Sequence, residues 1–162
     1  AGQLDEDLSV LLKTLNCYLV RDTDDRRFMT LFYGILDGGD RSLTWCSCGH
    51  DPAIWFQRDR GTFEELPSTG LPLGIIDEAD YDVGGPVTLA AGDVVLIGTD
   101  GIWEAMNDGG EQFGKDRLRE TIAASADLSA TDIYMAVLNA VNVHLAEVPQ
   151  ADDVTLVVIK VL

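Results

Sequence analysis

The spacing of apolar positions divides the chain into elements before any other property is considered. Leu4, Leu8, Leu11, Leu12, Leu15 and Leu19 recur at three- and four-residue intervals, which predicts an amphipathic helix over residues 4–20. Asp5, Glu6 and Asp7 stand near its start, where the helix dipole favours negative charge. Residues 28–36 read as a strand, Asp37-Gly38-Gly39-Asp40 as a tight turn and residues 42–47 as the hairpin partner. Gly49-His50-Asp51-Pro52 is a further turn, followed by strands at 53–57 and 62–66, so four closely linked β-elements predict an antiparallel meander. Residues 68–76, STGLPLGII, lack periodicity and predict a loop crossing the domain. Segments 79–83 and 87–90 flank a Gly84-Gly85-Pro86 break and lead through Ala91-Gly92 into the stretch that organises the chain, DVVLIGTDGIWEAMN at 93–107.

The apolar run 94–97 predicts a strand buried on both faces. The chain then turns at Gly98-Thr99-Asp100-Gly101 and is expected to enter a short amphipathic helix at 102–106. Beyond Asn107-Asp108-Gly109-Gly110 a second helix is predicted at about 115–126. A third, at about 130–147, is capped by Ser129 with Asp132 three residues on and striped by Ile133, Val137, Val141, Leu145 and Val148. Pro149 ends it, and Asp152-Asp153 precede a final buried-looking run at 154–161.

Asp100 is the first candidate for chemistry. An acid at the end of a buried strand, flanked by glycines, is held where backbone can approach a ligand, although Asp-Gly is also an ordinary turn pair. The second acid site tips the balance. If the strands at 94–97 and 154–161 are antiparallel in one sheet, the end of one and the start of the other share an edge, and Asp100 converges with Asp152 or Asp153.

Composition narrows the partners. At 162 residues and 46% apolar the chain is expected to form one globular domain. Its 28 acids against 11 bases give a formal charge of −17, which disfavours nucleic acid and anionic membrane and favours a cationic partner, a divalent metal or a protein. No apolar run approaches the roughly 20 residues that span a bilayer, and the N-terminus lacks a signal-peptide pattern, so a cytoplasmic location is expected. The start at an alanine almost directly on a helix suggests a piece of a longer chain.

Cys17, Cys46 and Cys48 are an odd, sparse set that argues for reduced thiols. Cys46, Cys48 and His50 alternate as C-x-C-x-H, open to reading as a zinc site or as small buried thiols beside a turn histidine. The acidic stretch RDTDDRR at 21–27 lacks the glycine and closing glutamate of a calcium loop and the residue pattern of an aspartyl-nucleophile phosphatase, so a solvated turn is expected. His144 borders the stripe of the third helix and reads as a core-edge side chain. No tyrosine-phosphatase Cys/Arg loop, G-x-S-x-G elbow, glycine-rich phosphate cradle or H-E-x-x-H is present.

Six phrases in order, FMTLFYGILD, CGHDPAIWF, LPSTGLPLGI, LAAGDVVLIGTDGIWEAMN, EQFGKDRL and ADDVTLVVIK, resemble the C-terminal two-thirds or so of a SpoIIE-like domain. That is the bacterial branch of the PPM metal-dependent protein serine/threonine phosphatases. The resemblance implies an α+β fold of two antiparallel sheets in a sandwich flanked by helices, here a single domain over 1–162 that lacks the family's first metal-binding motifs. It implies two Mn²⁺ or Mg²⁺ ions activating a water against phosphoserine or phosphothreonine. Asp100 of the TDG phrase and Asp152 fall on metal-ligand positions, with Asp153 behind them and Gly101 beside them. Gly49, His50, Gly70 and Gly74 lie in recurrent phrases taken as shaping residues. The implied partners are a phosphorylated protein substrate of the anti-sigma-factor-antagonist type and an attached N-terminal sensor or receiver domain. Two further aspartate phrases of the family are absent from the chain, which leaves a catalytically inactive pseudophosphatase acting as a protein-binding module as the alternative.

Overall fold

The computed structural model describes residues 2–22 and 27–162, and part of the RDTDDRR stretch lies outside them. These residues form two compact units, one of residues 1–52 and 66–89 and the other of residues 53–65 and 90–162. Among the described residues, two antiparallel sheets and three helices give the expected α+β class. No described helix is long and apolar enough to cross a membrane.

In the first unit, helix α1 spans Gly2–Asp22. Leu8 and Leu12 are buried, Leu15 and Leu19 pack beside them, and Leu11 of the predicted stripe is exposed instead. The buried face also carries Asn16, which is fully buried. Strands β1 (Leu31–Asp37) and β2 (Ser42–Cys48) form the predicted hairpin, in register from Leu31↔Cys48 to Asp37↔Ser42. Its turn is tied by Gly39 N–H donating to Asp37 Oδ1 at 2.7 Å and Ser42 N–H to Asp40 Oδ1 at 2.9 Å; hydrogen bonding from Ser42, by its side chain first and its N–H second, holds the Asp40 carboxyl below its ordinary range.

The meander does not continue into the next hairpin. The free edge of β2 pairs with β5 (Gly84–Thr88), giving the order β1-β2-β5. The expected Gly84-Gly85-Pro86 break is therefore inside a strand. Gly84 permits this because a Cβ there would lie 2.4 Å from the Trp45 ring, and proline is tolerated where the strand lies at a sheet edge. The irregularity falls opposite, as a register shift between Leu43 and Trp45.

The second unit holds β3 (Ala53–Gln57), β4 (Thr62–Leu66), β6 (Val94–Gly98) and β7 (Leu156–Lys160) in the order β4-β3-β6-β7. Helices α2 (Gly114–Ser125) and α3 (Ala130–Leu145) cover one face. Leu118 and Ile122 from α2 and Ile133, Val137, Val141 and Leu145 from α3 pack with Ile54, Phe56, Val94 and Leu96 of the sheet. Ser129 caps α3 as predicted, its hydroxyl accepting from Asp132 N–H at 3.2 Å. The helix stops before Pro149, at Leu145, where Ala146 turns to a φ of 53°. Lys160 Nζ donates to the Ala126 and Gly92 carbonyls, each at 2.6 Å, placing a cation at the C-terminus of α2.

Asp93 anchors the entry to β6. It is 2% exposed, and its carboxylate accepts from Trp55 Nε1 at 3.0 Å, Arg58 N–H at 2.9 Å and Ala90 N–H at 2.9 Å. Removing the carboxylate leaves three donors without their acceptor, the buried Trp55 indole among them. Asp93→Ala is expected to cost about 3 kcal/mol, each lost bond to a charged group counting for roughly 1–3 kcal/mol. The check is a lower urea midpoint at unchanged slope.

Candidate active site

The two segments that carry the candidate acids are brought together in the second unit by backbone. Antiparallel pairing of β6 with β7 runs from Val94↔Lys160 to Gly98↔Leu156, so the exit of one and the entry of the other fall at the same edge, as expected. The turn at 98–101 then lies against residues 152–155. A Cβ on Gly101 would meet the Asp153 carbonyl oxygen at 2.5 Å and the Asp152 carbonyl oxygen at 3.4 Å, so only glycine permits this approach. Asp100 and Asp152 are both exposed, and Asp152 Oδ1 accepts from the Asp153 N–H at 2.8 Å, leaving its second oxygen uncommitted by that bond.

Residues 102–106 do not form the predicted helix. Ile102 N–H donates to the Thr99 carbonyl and Glu104 N–H to the Asp100 carbonyl, but the following carbonyls of Trp103 and Ala105 accept from Gly114 and Phe113. Five residues are too few to offset the cost of helix nucleation when their carbonyls are taken elsewhere. The result is a tight turn that carries Asp100 beyond the sheet edge. Ile102, Trp103 and Ala105 are buried beneath it in the core of the unit.

The sequence reading passed over two side chains at this edge. Thr99 Oγ1 donates to the Asp153 carbonyl at 3.0 Å and accepts from Thr155 N–H at 3.0 Å, and Gln150 Nε2 donates to the Gly101 carbonyl at 2.9 Å. Gln150 also lines an open cleft of about 280 Å³ with Gly101, Glu104, Met106, Val148 and Asp152. The only available signal was the placement of Thr99 between a buried strand and an acid. Gln150 carried none.

The shaping residues belong to the first unit. Gly49, with φ of 65°, donates its N–H to the Gly70 carbonyl at 2.8 Å, and its Cα abuts the Pro72 ring, where a Cβ would lie 2.3 Å from it. Gly70 bridges in turn to Tyr81, whose ring lies 2.6 Å from where its Cβ would be. Gly74 is held separately, its N–H donating to Asn16 Oδ1 at 2.8 Å while Asn16 Nδ2 donates to Ile76 and Asp77 carbonyls. Asn16 is thus the polar clasp of the glycine-proline loop, a role invisible in a leucine-rich stripe. His50 is half-buried in its turn, and its carbonyl accepts from Ser47 Oγ at 3.3 Å.

Carboxylates are hard donors of the kind Mg²⁺ and Mn²⁺ take, and both acids face solvent; this donor set fits a hard divalent ion. Among the described residues no three His, Cys, Asp or Glu side chains gather to hold an ion, so these two acids alone could give no more than part of a coordination sphere. The same holds for Cys46, Cys48 and His50, which do not form a zinc site. Both thiols are fully buried in the core of the first unit, and Cys46 Sγ donates to the Asp82 carbonyl at 3.2 Å. His144 sits at the core edge as expected, its Nε2 2.8 Å from the Glu111 carbonyl and its ring edge-on to Phe113.

Burial pushes the Cys48 thiol from 9.0 up to about 11, with Cys46 adding to the shift. Its folded value lies above the unfolded one, so its contribution to stability is present below about pH 9 and is lost as the pH rises toward about 11. Denaturation at increasing pH is expected to show that loss, diminished in Cys48→Ala. Gly101→Ala, which forces a methyl against the Asp153 carbonyl, is expected to cost about 1–3 kcal/mol and lower the melting temperature.

Comparison with known proteins gives a consistent match. The sequence profile of the family described as Stage II sporulation protein E (SpoIIE) covers residues 1–162. Phosphoserine phosphatase RsbU of Bacillus subtilis is 29% identical over 155 residues, covering 94% of this chain and 44% of that protein. The chain therefore spans less than half of that relative. Among solved structures, the PP2C phosphatase domain with a regulatory fragment of SpoIIE from Bacillus subtilis superposes with a TM-score of 0.71 at 26% identity, over 93% of this chain and 43% of that one. The SiaA-PP2C domain of Pseudomonas aeruginosa shares the fold, with a TM-score of 0.72 at 19% identity over 89% of this chain and 56% of that one.

Proposed function

The chain belongs to the Stage II sporulation protein E family, and from that membership we propose that it is part of a bacterial signalling phosphatase that hydrolyses phosphoserine or phosphothreonine in a protein substrate. The observation that carries the reading is the packing of the Asp100-Gly101 turn against the Asp152-Asp153 backbone at the shared edge of β6 and β7. RsbU and RsbP, two relatives, are named phosphoserine phosphatases. Residues 1–162 are read as one PPM-type phosphatase domain, with phosphorylated anti-sigma-factor antagonists as the substrate class and an attached sensor or receiver domain as the regulatory partner.

Asp100 and Asp152 are the residues that would hold Mn²⁺ or Mg²⁺. One related SpoIIE phosphatase domain was presoaked with Mn, and an RsbX structure contains magnesium. Two such ions, when bound, supply activation of a water and compensation of the charge that develops on the phosphoryl oxygens. The chain's own part is to fix the two acids. Gly101 allows the turn to approach residues 152 and 153, and Asp153 supports Asp152 through its N–H. Cys46 and Cys48 are poor candidates for a thiol nucleophile, because both are buried and the Cys48 thiol stays protonated at neutral pH.

Net charge sharpens the requirement. A dianionic phosphoryl group approaches a chain of −17 and two exposed carboxylates, so cation binding is needed to reverse the local sign. In the intact protein, phosphate release from a phosphoserine peptide is expected to require Mn²⁺ or Mg²⁺, to stop on chelation and to fall at least about 100-fold in Asp100→Asn and in Asp152→Asn. Malachite-green detection of phosphate is the measurement. Turnover that survives chelation and both substitutions overturns the reading, whereas partner binding without any turnover leaves a non-catalytic binding module.

A further inference from the structure

The ladder between β6 and β7 stops where the candidate acids begin, and one hydroxyl carries it past the stop. Beyond the Gly98↔Leu156 pair, Thr99 N–H donates to the Thr155 carbonyl at 3.1 Å. In a continued antiparallel pair the Thr99 carbonyl would accept from Thr155 N–H in return. That carbonyl is turned away, accepting from Ile102 N–H at 3.1 Å in the turn that presents Asp100. Thr99 Oγ1 takes its place, accepting from Thr155 N–H at 3.0 Å, and uses its proton to donate to the Asp153 carbonyl at 3.0 Å. From the other side of the turn, Gln150 Nε2 holds the Gly101 carbonyl at 2.9 Å.

We infer that Thr99 and Gln150 are positioning residues for the Asp100–Asp152 pair, the hydroxyl standing in for a carbonyl diverted into the acid-bearing turn and the amide fixing that turn to the segment before Asp152. The inference rests on the reading that the pair holds a divalent cation. Each acid is exposed and sits on a segment outside the regular strands, so the ladder alone does not fix their separation. The fixing bonds are those of Thr99, Gln150 and the Thr99–Thr155 backbone pair. Removing the hydroxyl leaves Thr155 N–H and the Asp153 carbonyl without it as partner, and the 152–155 segment relaxes away from the turn. Loss of a supporting bond behind metal-holding residues weakens metal affinity roughly 10- to 100-fold.

The test is Mn²⁺ titration of the intact protein, read by the electron-paramagnetic-resonance signal of free Mn²⁺, well below the melting temperature of each variant. Thr99→Val, which keeps the shape and loses the hydroxyl, is expected to bind Mn²⁺ roughly 10-fold more weakly, while Thr99→Ser stays within about twofold of wild type. Gln150→Leu, which removes a single bond at the cleft rim, is expected to weaken binding in the same direction and decides the matter if Thr99→Val does not fold. Wild-type affinity in Thr99→Val, or in Gln150→Leu where that variant decides, overturns the inference alone if Asp152→Asn still loses Mn²⁺. Absence of Mn²⁺ binding by wild type, or undiminished binding by Asp152→Asn, overturns the inference together with the functional reading.

Discussion

The pairing of β6 with β7 is the constraint on which the candidate site depends. Strand β6 has β3 on one side and β7 on the other, and Val94, Val95 and Leu96 are buried. A strand enclosed in this way tolerates no slip, because moving by one residue would turn its whole apolar set to the opposite face. Fixing the register also fixes the point at which the chain leaves the sheet, and that point is occupied by an acid. The antiparallel partner arrives at the same edge, so the Asp100-Gly101 turn lies against the backbone of Asp152 and Asp153 although about fifty positions separate them in the sequence.

Buried polar groups give each unit its definition. In the first, the Asn16 amide joins the leucine face of α1 to the loop around Gly74 through three hydrogen bonds. In the second, Asp93 gathers donors from β3, from the residue after it and from the turn before β6. Such groups are costly to bury without partners, so each holds its surroundings to one arrangement more strictly than apolar packing would. The electrostatics of the acid edge run the other way. Its carboxylates lie exposed to solvent, open to a cation.

The regular elements were legible because they follow local rules. The 3.6-residue stripe of α3, its Ser129 cap and the alternating hairpin of β1 and β2 are written in short windows of sequence. Asp100 and the Asp152-Asp153 pair stand out in the same local way, each just outside an apolar run, and only the family resemblance chooses Asp152 within the pair. The failures were non-local. Nothing near Cys48 says that β2 will pair with β5 instead of continuing the meander, and Gly84-Gly85-Pro86 looks like a break until the Trp45 ring is in place above it. Thr99, Gln150 and Asn16 were missed for that reason too, since their bonds reach across 49 to 61 residues and leave no periodic trace.

The order of the chain through the two units has a consequence for synthesis. Every segment of the first unit has left the ribosome once Leu89 has emerged, whereas the second cannot close its sheet until the strand ending at Lys160 is made. For most of that interval β6, among the most apolar stretches of the molecule, has an unpaired edge. The acid edge is consequently the last feature to be assembled. A nascent or clipped chain that stops short of residue 152 would keep the helix, loop and glycine contacts of the first unit while lacking one of the two carboxylates.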